Sequence, residues 1–391
     1  MEPVLDADFY ELEELLDPGG LQLVLRVREF MEKSVAPVIN HYWTREQFPH
    51  ELVPGLAALG IAGLACEGYD CPGGSSLLDG MIAMELARVD SSIATFMGVH
   101  GGLAMGSIFL CGSEEQKRRW LPAMARLEKI GAFALTEPDV GSGVAGGLTT
   151  TARRDGDVWV LNGQKKWIGN ATFADHVIVW ARDVDGGQVK GFVVHKGAEG
   201  FAPAKIHDKI ALRVVQNALI TLDNVRVPEE DRLQLAESFR DTARVLRLTR
   251  AGVAWMATGC ARGAYEYALS YARERLQFGR PIASFQLVQQ MLADMATEVE
   301  LARLIGYRAA SLIMAGDPAR AEISMAKSYA TEAAVRVASL GVQVHGAIGL
   351  TKECAAERYL RDARMLTIPD GTTQIHKLVI GRELTGISAF A

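Results

Sequence analysis

The sequence predicts an α+β multidomain chain in which helices, then strands, then helices again follow one another. Apolar residues recur at helical spacing in the first and last parts, and short β-branched runs bounded by turn residues lie between them. A length of 391 residues suits two or three domains. We therefore predict an N-terminal helical domain over residues 1–130, a middle antiparallel β domain over 131–236 and a C-terminal four-helix bundle over 237–391.

The first part carries the longest amphipathic patterns of the N-terminal half. They cover residues 21–40, 52–59, 76–89 and, after Asp90, a stretch that reaches residue 110. Gly60 is predicted to end the second helix, because glycine readily adopts the left-handed conformation that closes a helix. Ser113 is predicted to cap a short helix that ends near residues 121–122.

The middle and last parts differ in their apolar period. Short β-rich runs occupy residues 158–161, 177–181, 191–195 and 219–227. Asn162-Gly163 predicts a tight hairpin turn, and Asp185-Gly186-Gly187 predicts another turn. Ala-rich helical patterns at residues 251–275, 285–315, 319–340 and 373–384 then predict the antiparallel bundle.

Composition and charge exclude several classes of protein. The net charge is −6, with 47 acidic and 41 basic residues and no long basic run, which argues against a nucleic-acid partner. No run approaches the roughly 18 apolar residues of a membrane span, and the acidic N-terminus is unlike a signal peptide. The five scattered cysteines fit a reducing compartment and form no metal-site pattern. We therefore expect a cytoplasmic protein without a metal or membrane site.

Common hydrolase and nucleotide-binding motifs are absent, but six other stretches are informative. The sequence has no Gly-x-Ser-x-Gly, His-Glu-x-x-His, P-loop or strand-led Gly-x-Gly-x-x-Gly. The informative stretches are Phe-Ala-Leu-Thr-Glu-Pro at 133–138, Gly-Ser-Gly at 141–143, Lys-Trp-Ile-Gly-Asn at 166–170, Arg-x-x-Phe-Gly at 275–279, Gln-x-x-Gly at 343–346 and Asp-Gly-Thr-Thr-Gln at 370–374. In this order and spacing they resemble the signatures of the acyl-CoA dehydrogenase family of flavoproteins. The resemblance is closest to the glutaryl-CoA dehydrogenase branch, whose C-terminal Gly-Arg-x-x-Thr-Gly-Ile-x-Ala-Phe pattern reappears at 381–390.

This resemblance implies FAD as the cofactor and a set of residues that contact it. The implied set is Phe133, Leu135, Thr136, Ser142, Trp167, Ile168, Gly169, Arg275, Phe278, Gln286, Gln343, Gly346, Ala347, Thr372, Gln374 and Phe390. A flavin needs hydrogen-bond donors to its ring, an apolar wall and a cation for its pyrophosphate. Thr136 and the backbone of Leu135 would meet the ring, and Trp167 would cover it. Arg275 would bind the pyrophosphate of a neighbouring subunit's FAD, and Gln286 and the 343–347 turn would hold its adenosine part.

The resemblance also implies the chemistry, which is α-proton abstraction from an acyl thioester with transfer of a β-hydride to the flavin. The family's base is usually Glu, and the matching residue here is Asp370, which follows Pro369. Aspartate is one methylene shorter, and a misplacement of about 1 Å can cost on the order of 100-fold in rate. The substrate would meet Ser142, Thr249, Arg250 and Gly371, with Ala94 and Thr95 at the acyl end.

Other readings of these residues remain open at this point. Pro-Asp-Gly is also a turn sequence in which Asp370 would serve as a cap. Trp167 could be a core residue and Arg275 a solvated helix charge, and His100, His345 and His376 are interpreted as structural. Some family members carry their base near the start of the first bundle helix, but Thr249 and Arg250 stand at that position here.

Departures from the family pattern guide the functional hypothesis. Gly169 replaces a threonine near the flavin, and Gly143 replaces an aspartate. Ala94 and Thr95 stand where the glutaryl branch has an Arg-Ser pair, so a free carboxylate would be buried unpaired. We predict an FAD-dependent acyl-CoA dehydrogenase for a neutral acyl chain, with an electron-transfer flavoprotein as acceptor and a homotetramer, a dimer of dimers, as the assembly. A flavin-dependent acyl-CoA or acyl-carrier oxidase, or a member without chemistry, is the alternative.

Overall fold

The computed structural model describes residues 8–389, and helices form the first of three successive parts. The N-terminal helices are α1 (Pro18–Phe30), α2 (Ala36–Arg45), α3 (Val53–Leu59), α4 (Ser76–Val89), α5 (Ser91–Met97), α6 (Gly106–Cys111) and α7 (Glu114–Ala125). One π-helical turn, Met31–Val35, joins α1 to α2, and a longer one, Gly98–Met105, joins α5 to α6. These two turns make nearly continuous helices of the segments that the apolar spacing predicted.

The predicted helix ends are confirmed at two positions and wrong at a third. Gly60 closes α3 with φ of 67°, and Ser113 caps α7 in a reciprocal capping box with Gln116. However, α7 continues through Pro122 to Ala125. Proline removes only one backbone bond, and burial of Met124 beyond it stabilises the extra turn.

The middle part is a seven-stranded sheet. Its strands are β1 (Gly131–Ala134), β2 (Thr151–Asp155), β3 (Val158–Ile168), β4 (His176–Asp183), β5 (Val189–His195), β6 (Phe201–Lys205) and β7 (Ala218–Pro228), with a short helix α8 (Val144–Gly147) after β1. The order is β1-β4-β2-β3-β7-β6, and β5 pairs with β4. The sheet is mainly antiparallel, as expected, except that β4 pairs in parallel with both β1 and β2. Parallel neighbours require long connections, which local turn signals cannot reveal.

The Asn162-Gly163 pair does not form the predicted hairpin turn. Both residues lie inside β3, where a register shift against β7 marks a bulge between Leu161 and Gly163. A Cβ on Gly163 would lie 2.8 Å from the Cα of Thr150, so glycine is required by close approach of the backbone before β2. The turn predicted at residues 185–187 is confirmed between β4 and β5.

The last part contains five long or medium helices rather than the predicted four. They are α9 (Phe239–Glu274), α10 (Gln286–Met314), α11 (Arg320–His345), α12 (Ala356–Leu366) and α13 (Thr373–Thr385), with a two-stranded hairpin of β8 (Leu276–Gln277) and β9 (Arg280–Pro281) after α9. Helix α12 was missed because it is rich in charges. Two of these charges, Arg358 and Asp362, are buried together with Asp90 of the N-terminal part, and Tyr359 packs beside them.

Close backbone contact joins the two helical parts. A Cβ on Gly259 of α9 would lie 2.1 Å from the carbonyl oxygen of Met84 on α4, so only glycine permits this approach. The core therefore runs from α4 through α9 into α11. Two core segments, Ser91–Cys111 and Arg320–Leu350, are long and apolar enough to cross a membrane by length and composition alone. The sequence had predicted no such segment. Of their most apolar windows, 56% and 44% are buried inside the protein.

Candidate active site

The Asp370 turn lies between α12 and α13 and faces the middle of α9. Asp370 and Gly371 both have positive φ, 54° and 100° respectively. Arg250 of α9 donates from Nε to the carbonyl oxygen of Asp370 at 3.2 Å. The hydroxyl of Thr249, one residue earlier, donates to the carbonyl oxygen of Leu246 at 3.2 Å and lies close enough to the Asp370 carboxyl group to lower its pKa. The structure therefore brings together Asp370, Gly371, Thr249 and Arg250, as the sequence predicted.

The environment of Asp370 suits a base. Burial raises the pKa of the Asp370 carboxyl group, and Thr249, Arg250 and Lys327 oppose that effect in part. A carboxylate with a raised pKa removes protons more effectively, provided that it stays ionised at the working pH. Within residues 8–389, the N–H group of Asp370 donates no hydrogen bond and is free to bind a substrate carbonyl.

An open space borders this turn between two helices. Gly102 faces Thr249 closely, since a Cβ on Gly102 would lie 3.0 Å from Thr249 Cγ2. One turn away on each helix are Gly98 and Gly252. In the described part of the chain, no heavy atom outside their neighbours lies within 4 Å of a Cβ built on either glycine. Both glycines therefore face open space, on the two helices that approach each other closely at Gly102 and Thr249.

Ala94 and Thr95 lie at the start of the same helical segment. Ala94 is 2% exposed, so its methyl group packs in the core and does not face the open space. Thr95 is half-buried, and its hydroxyl donates to the carbonyl oxygen of Ser91 at 2.7 Å. Neither residue provides a positive charge.

A buried ion pair fixes the end of β1, where the flavin contacts are expected. Lys165 of β3 donates to the carbonyl oxygen of Leu135 and to Oε1 of Glu137, each at 2.9 Å. Burial would raise the pKa of Glu137, but hydrogen bonds from Thr149 and Thr150 and the charge of Lys165 lower it to about 2. Burial lowers the pKa of Lys165 to about 8. Both side chains are thus charged between about pH 2 and pH 8. Burial shifts the pKa of the lysine towards its neutral form, whereas the pKa of the glutamate remains low.

A backbone hydrogen bond holds the segment that carries the predicted flavin-ring contacts Phe133, Leu135 and Thr136. Phe133 and Leu135 are buried, and Thr136 is half-buried. The carbonyl oxygen of Thr136 accepts a hydrogen bond from the Lys166 amide at 2.8 Å. This bond joins the strand end to the residue just before Trp167.

Trp167 is unusual in both exposure and backbone conformation. Its side chain is 53% exposed, and its φ is 66°, which is rare for a bulky residue. Asn217 donates to its carbonyl oxygen at 3.0 Å. A large indole held in strained backbone and left half in solvent does not serve the core, so the interpretation of Trp167 as a core residue is wrong.

The next two residues explain one departure from the family pattern. Ile168 is buried in the core, and Gly169 lies against the π-helical turn that joins α5 to α6. A Cβ on Gly169 would lie 3.3 Å from Val99 and 3.5 Å from Val215. The Cβ of a threonine would therefore require Val99 to shift by a few tenths of an ångström, whereas its contact with Val215 would be an ordinary one.

Ser142 lies in an exposed turn before α8. Its neighbours Gly141 and Gly143 are also exposed. The structure leaves Ser142 accessible to a ligand but gives it no contact to the Asp370 turn.

Six other predicted cofactor residues lie at the ends of two long helices, away from Asp370 in the same chain. Arg275, Phe278 and Gln286 are exposed around the β8–β9 hairpin at the far end of α9, and Phe278 is 93% exposed. Thr249 and Arg275 are 26 residues apart on one helix, which corresponds to about 39 Å at 1.5 Å per residue. Gln343, Gly346 and Ala347 are exposed at the end of α11. These groups cannot contact a flavin ring beside Asp370 of their own chain.

The start of α13 carries two further predicted contacts. Thr372 is the N-cap, and its hydroxyl accepts from the Ile375 amide at 3.4 Å. Gln374 is exposed in the first turn. Phe390 lies outside the described residues.

Sequence reasoning missed several residues of this site. Lys165, Lys327, Gly98 and Gly252 carry no motif of their own, and only long-range contacts place them there. The one available signal was the pair of glycines inside helical patterns, since glycine weakens a helix and often marks a packing or functional need. His376, interpreted as structural, is buried beside Gly371, and burial lowers its pKa to about 4.

Comparisons with known proteins agree along the whole chain. Family models described as acyl-CoA dehydrogenase N-terminal, middle and C-terminal domains match residues 21–128, 132–225 and 239–385. An acyl-CoA dehydrogenase of Bacillus subtilis is 36% identical over 372 residues, which are 93% of this chain and 98% of the relative. The subunit CarC of a caffeyl-CoA reductase-Etf complex of Acetobacterium woodii is 37% identical and covers 90% and 94%. The structure of a Mycobacterium smegmatis glutaryl-CoA dehydrogenase in complex with FADH2 has a TM-score of 0.94 at 35% identity and covers 98% and 99%.

Proposed function

Because this chain belongs to the acyl-CoA dehydrogenase family, the FAD-dependent oxidoreductases that act on the CH–CH bond of acyl-CoA, we propose that Asp370 is its base and a neutral acyl thioester its substrate. The observation that carries the proposal is the position of the Asp370 carboxyl group. Thr249 lies close enough to lower its pKa, and Gly98 and Gly252, one helical turn from Gly102 and Thr249, face open space. A reacting carbon in that space would lie next to a carboxylate whose burial favours proton uptake.

The residues around the turn would have different roles in the reaction. Asp370 would remove the α proton, and its own free N–H group would polarise the thioester carbonyl. Arg250 donates to the Asp370 carbonyl oxygen and so restrains the peptide group that links Asp370 to Gly371. The half-exposed Trp167 and the fixed strand end at Leu135 and Thr136 fit an aromatic ring system. When bound, FAD accepts the hydride that leaves the β carbon.

An uncharged acyl group suits the open space, because the residues at Gly98 and Gly252 provide no positive charge. Gly98 and Gly252 add only backbone to this space, and Thr95, earlier on the same helical segment as Gly98, carries no charge. A terminal carboxylate there would lose its hydration without gaining a partner, at a cost of several kcal/mol. We therefore propose that glutaryl-CoA is a poor substrate, although the solved structures with similar folds include glutaryl-CoA dehydrogenases.

The test is anaerobic bleaching of the bound flavin by a panel of acyl-CoA thioesters. We expect straight and branched neutral acyl groups to reduce the flavin faster than glutaryl-CoA does. Glutaryl-CoA as the fastest substrate would overturn the substrate proposal, and a flavin that no thioester bleaches would overturn the assignment of the base and space. Rapid peroxide formation in air would identify oxygen as the acceptor. We propose an electron-transfer flavoprotein instead, because a relative at 37% identity is a subunit of an Etf complex.

Bulk at Gly98 should narrow the acyl site. Gly98→Ala, Gly98→Val and Gly98→Leu are expected to lower the reduction rate progressively for long or branched thioesters, and least for the shortest one. One methylene in a tight pocket is worth about 10–200-fold in specificity. Helix propensity favours Ala and Leu over Gly, so melting temperatures should not fall. Equal losses for all chain lengths would contradict the assignment of this space to the acyl group.

We also propose that the chain assembles into a homotetramer in the cytoplasm. Support comes from Phe278, Leu276 and Leu287, which expose apolar side chains around the β8–β9 hairpin. Arg275 stands beside this surface, about 39 Å along α9 from Thr249. We therefore propose that Arg275 serves a neighbouring subunit's cofactor and not its own.

Arg275→Ala is expected to lose FAD and weaken the assembly together, because one guanidinium would serve both. A ligand at 100-fold excess over its dissociation constant stabilises a protein by about 2.7 kcal/mol, so the variant should melt earlier. The measurements are flavin absorbance after gel filtration and the elution volume. Arg273→Ala, at an exposed position two residues earlier, is the matched control. Full flavin content in Arg275→Ala would show that Arg275 is a surface charge.

A further inference from the structure

Lys327 is a buried lysine directly behind the Asp370 turn. It lies on α11, it is fully buried, and its Nζ donates to the carbonyl oxygen of Gly371 at 2.7 Å. Arg250 on α9 holds the preceding carbonyl oxygen, that of Asp370. Two cations from two helices therefore hold two consecutive carbonyl groups at the turn.

The turn needs such support because its backbone is strained. Asp370 has φ of 54°, a left-handed conformation that is unfavourable for a non-glycine residue and persists only where its surroundings enforce it. Helix α11 holds the same segment at a second point. Thr373 donates from its hydroxyl to Glu332 at 3.0 Å, one turn beyond Lys327. The two contacts of α11 flank Thr372, the N-cap of α13.

We propose that Lys327 is a positioning residue, which sets the reach of the Asp370 carboxylate by fastening the Gly371 carbonyl to α11. The inference rests on the proposed role of Asp370 as the base. An aspartate is shorter than the usual glutamate, so its loop tolerates little displacement. A shift of about 1 Å can cost on the order of 100-fold in rate.

The charges that face Lys327 make its effect dependent on pH. Burial lowers the pKa of Lys327 to about 8, with Arg250 acting in the same direction and Asp370 and Glu332 opposing it. His376 of α13 also faces it and is neutral, because burial lowers its pKa to about 4. Above pH 8 the lysine loses its charge, and a neutral hydrogen bond is roughly half as strong as a charged one.

Stability should change in the opposite direction over that range. A lysine whose pKa is lower in the folded state binds fewer protons there than in the unfolded chain. Between about pH 8 and the unfolded pKa, its deprotonation therefore favours folding. A fall in rate above pH 8 that comes from Lys327 is thus not unfolding caused by Lys327.

The test compares Lys327→Met holoenzyme with the native holoenzyme in anaerobic stopped-flow reduction by one saturating acyl-CoA. Lys377→Met, at an exposed lysine on α13, is the control. We expect Lys327→Met to keep FAD and its dissociation constant for the thioester, and to reduce the flavin about 10–100-fold more slowly. We expect the native rate to fall severalfold above pH 8 and the rate of the Met variant to lack that fall.

The outcomes separate this inference from the proposed function. A native enzyme that no acyl-CoA bleaches contradicts the proposed function itself. A native enzyme that is reduced normally, together with an equally fast Lys327→Met enzyme, overturns the positioning role alone. If the Met variant does not fold, the native pH series decides, since a rate that stays constant from pH 7 to pH 9.5 also overturns it.

Discussion

Asp370→Asn is expected to slow flavin reduction by roughly 10²–10⁴-fold while the fold, the flavin content and thioester binding are kept. The amide occupies the same volume and retains the Asp370 N–H group, but it cannot take up the α proton. Burial of a carboxylate is costly here, as the raised pKa shows, so the neutral Asn should not lower the melting temperature. Stopped-flow bleaching measures the rate, and a thioester titration of the flavin spectrum measures binding.

Asp370→Glu is the sharper companion variant. If the turn has kept the geometry of relatives that carry glutamate, the longer carboxylate should reduce the flavin faster than the native residue does. If Pro369 and the contacts of Arg250 and Lys327 hold the turn closer to the substrate, Glu should be slower. Native rates in both variants would show that Asp370 is only a turn residue.

The same carboxyl group should set the acid side of the pH profile. Its pKa is raised by burial, so the reduction rate should fall as pH decreases through a value above that of an ordinary aspartate. The Asn variant should show no such fall. If the reduction rates of both proteins fall at the same acidic pH, another group is responsible for that fall.

Lys165→Met is expected to give the largest loss of stability, about 3–5 kcal/mol, because it leaves Glu137 as a buried charge without its cation. Three hydrogen bonds from Thr149 and Thr150 remain on Glu137, so the loss should lie nearer the lower value. The strand end at Leu135 also loses its donor, so flavin should dissociate more readily. Chemical denaturation and flavin release measure the two effects.

Lys190→Met provides the matched control in the same domain. Lys190 pairs with the exposed Glu237 at 3.2 Å, and such surface pairs contribute about 0–1 kcal/mol. An equally small loss in Lys165→Met would mean that the buried pair is replaceable by an apolar side chain. An acid titration adds a check, since the stabilisation from Glu137 is present above its unfolded pKa and is lost as pH falls towards about 2.

The sequence by itself determined the three-part order, most helices and the motif that carries Asp370. These features depend on short-range signals. The capping pair of Ser113 and Gln116 and the glycine that ends α3 act within one helical turn, so they can be predicted from neighbours in the chain. The turn at Asp370 could also be predicted locally, because Asp370, Gly371 and Thr372 are consecutive.

Only the tertiary structure decided which distant residues support those motifs. Gly163 looked like a hairpin residue but serves a bulge, since its neighbour Thr150 comes from another segment. Lys327 reaches Gly371 across 44 residues, and Lys165 reaches Leu135 across 30. Any local sequence pattern predicts that a lysine lies on the surface. Its burial becomes favourable only when packing brings a carbonyl or carboxylate group close to its ammonium group. That distance cannot be predicted from a local sequence pattern.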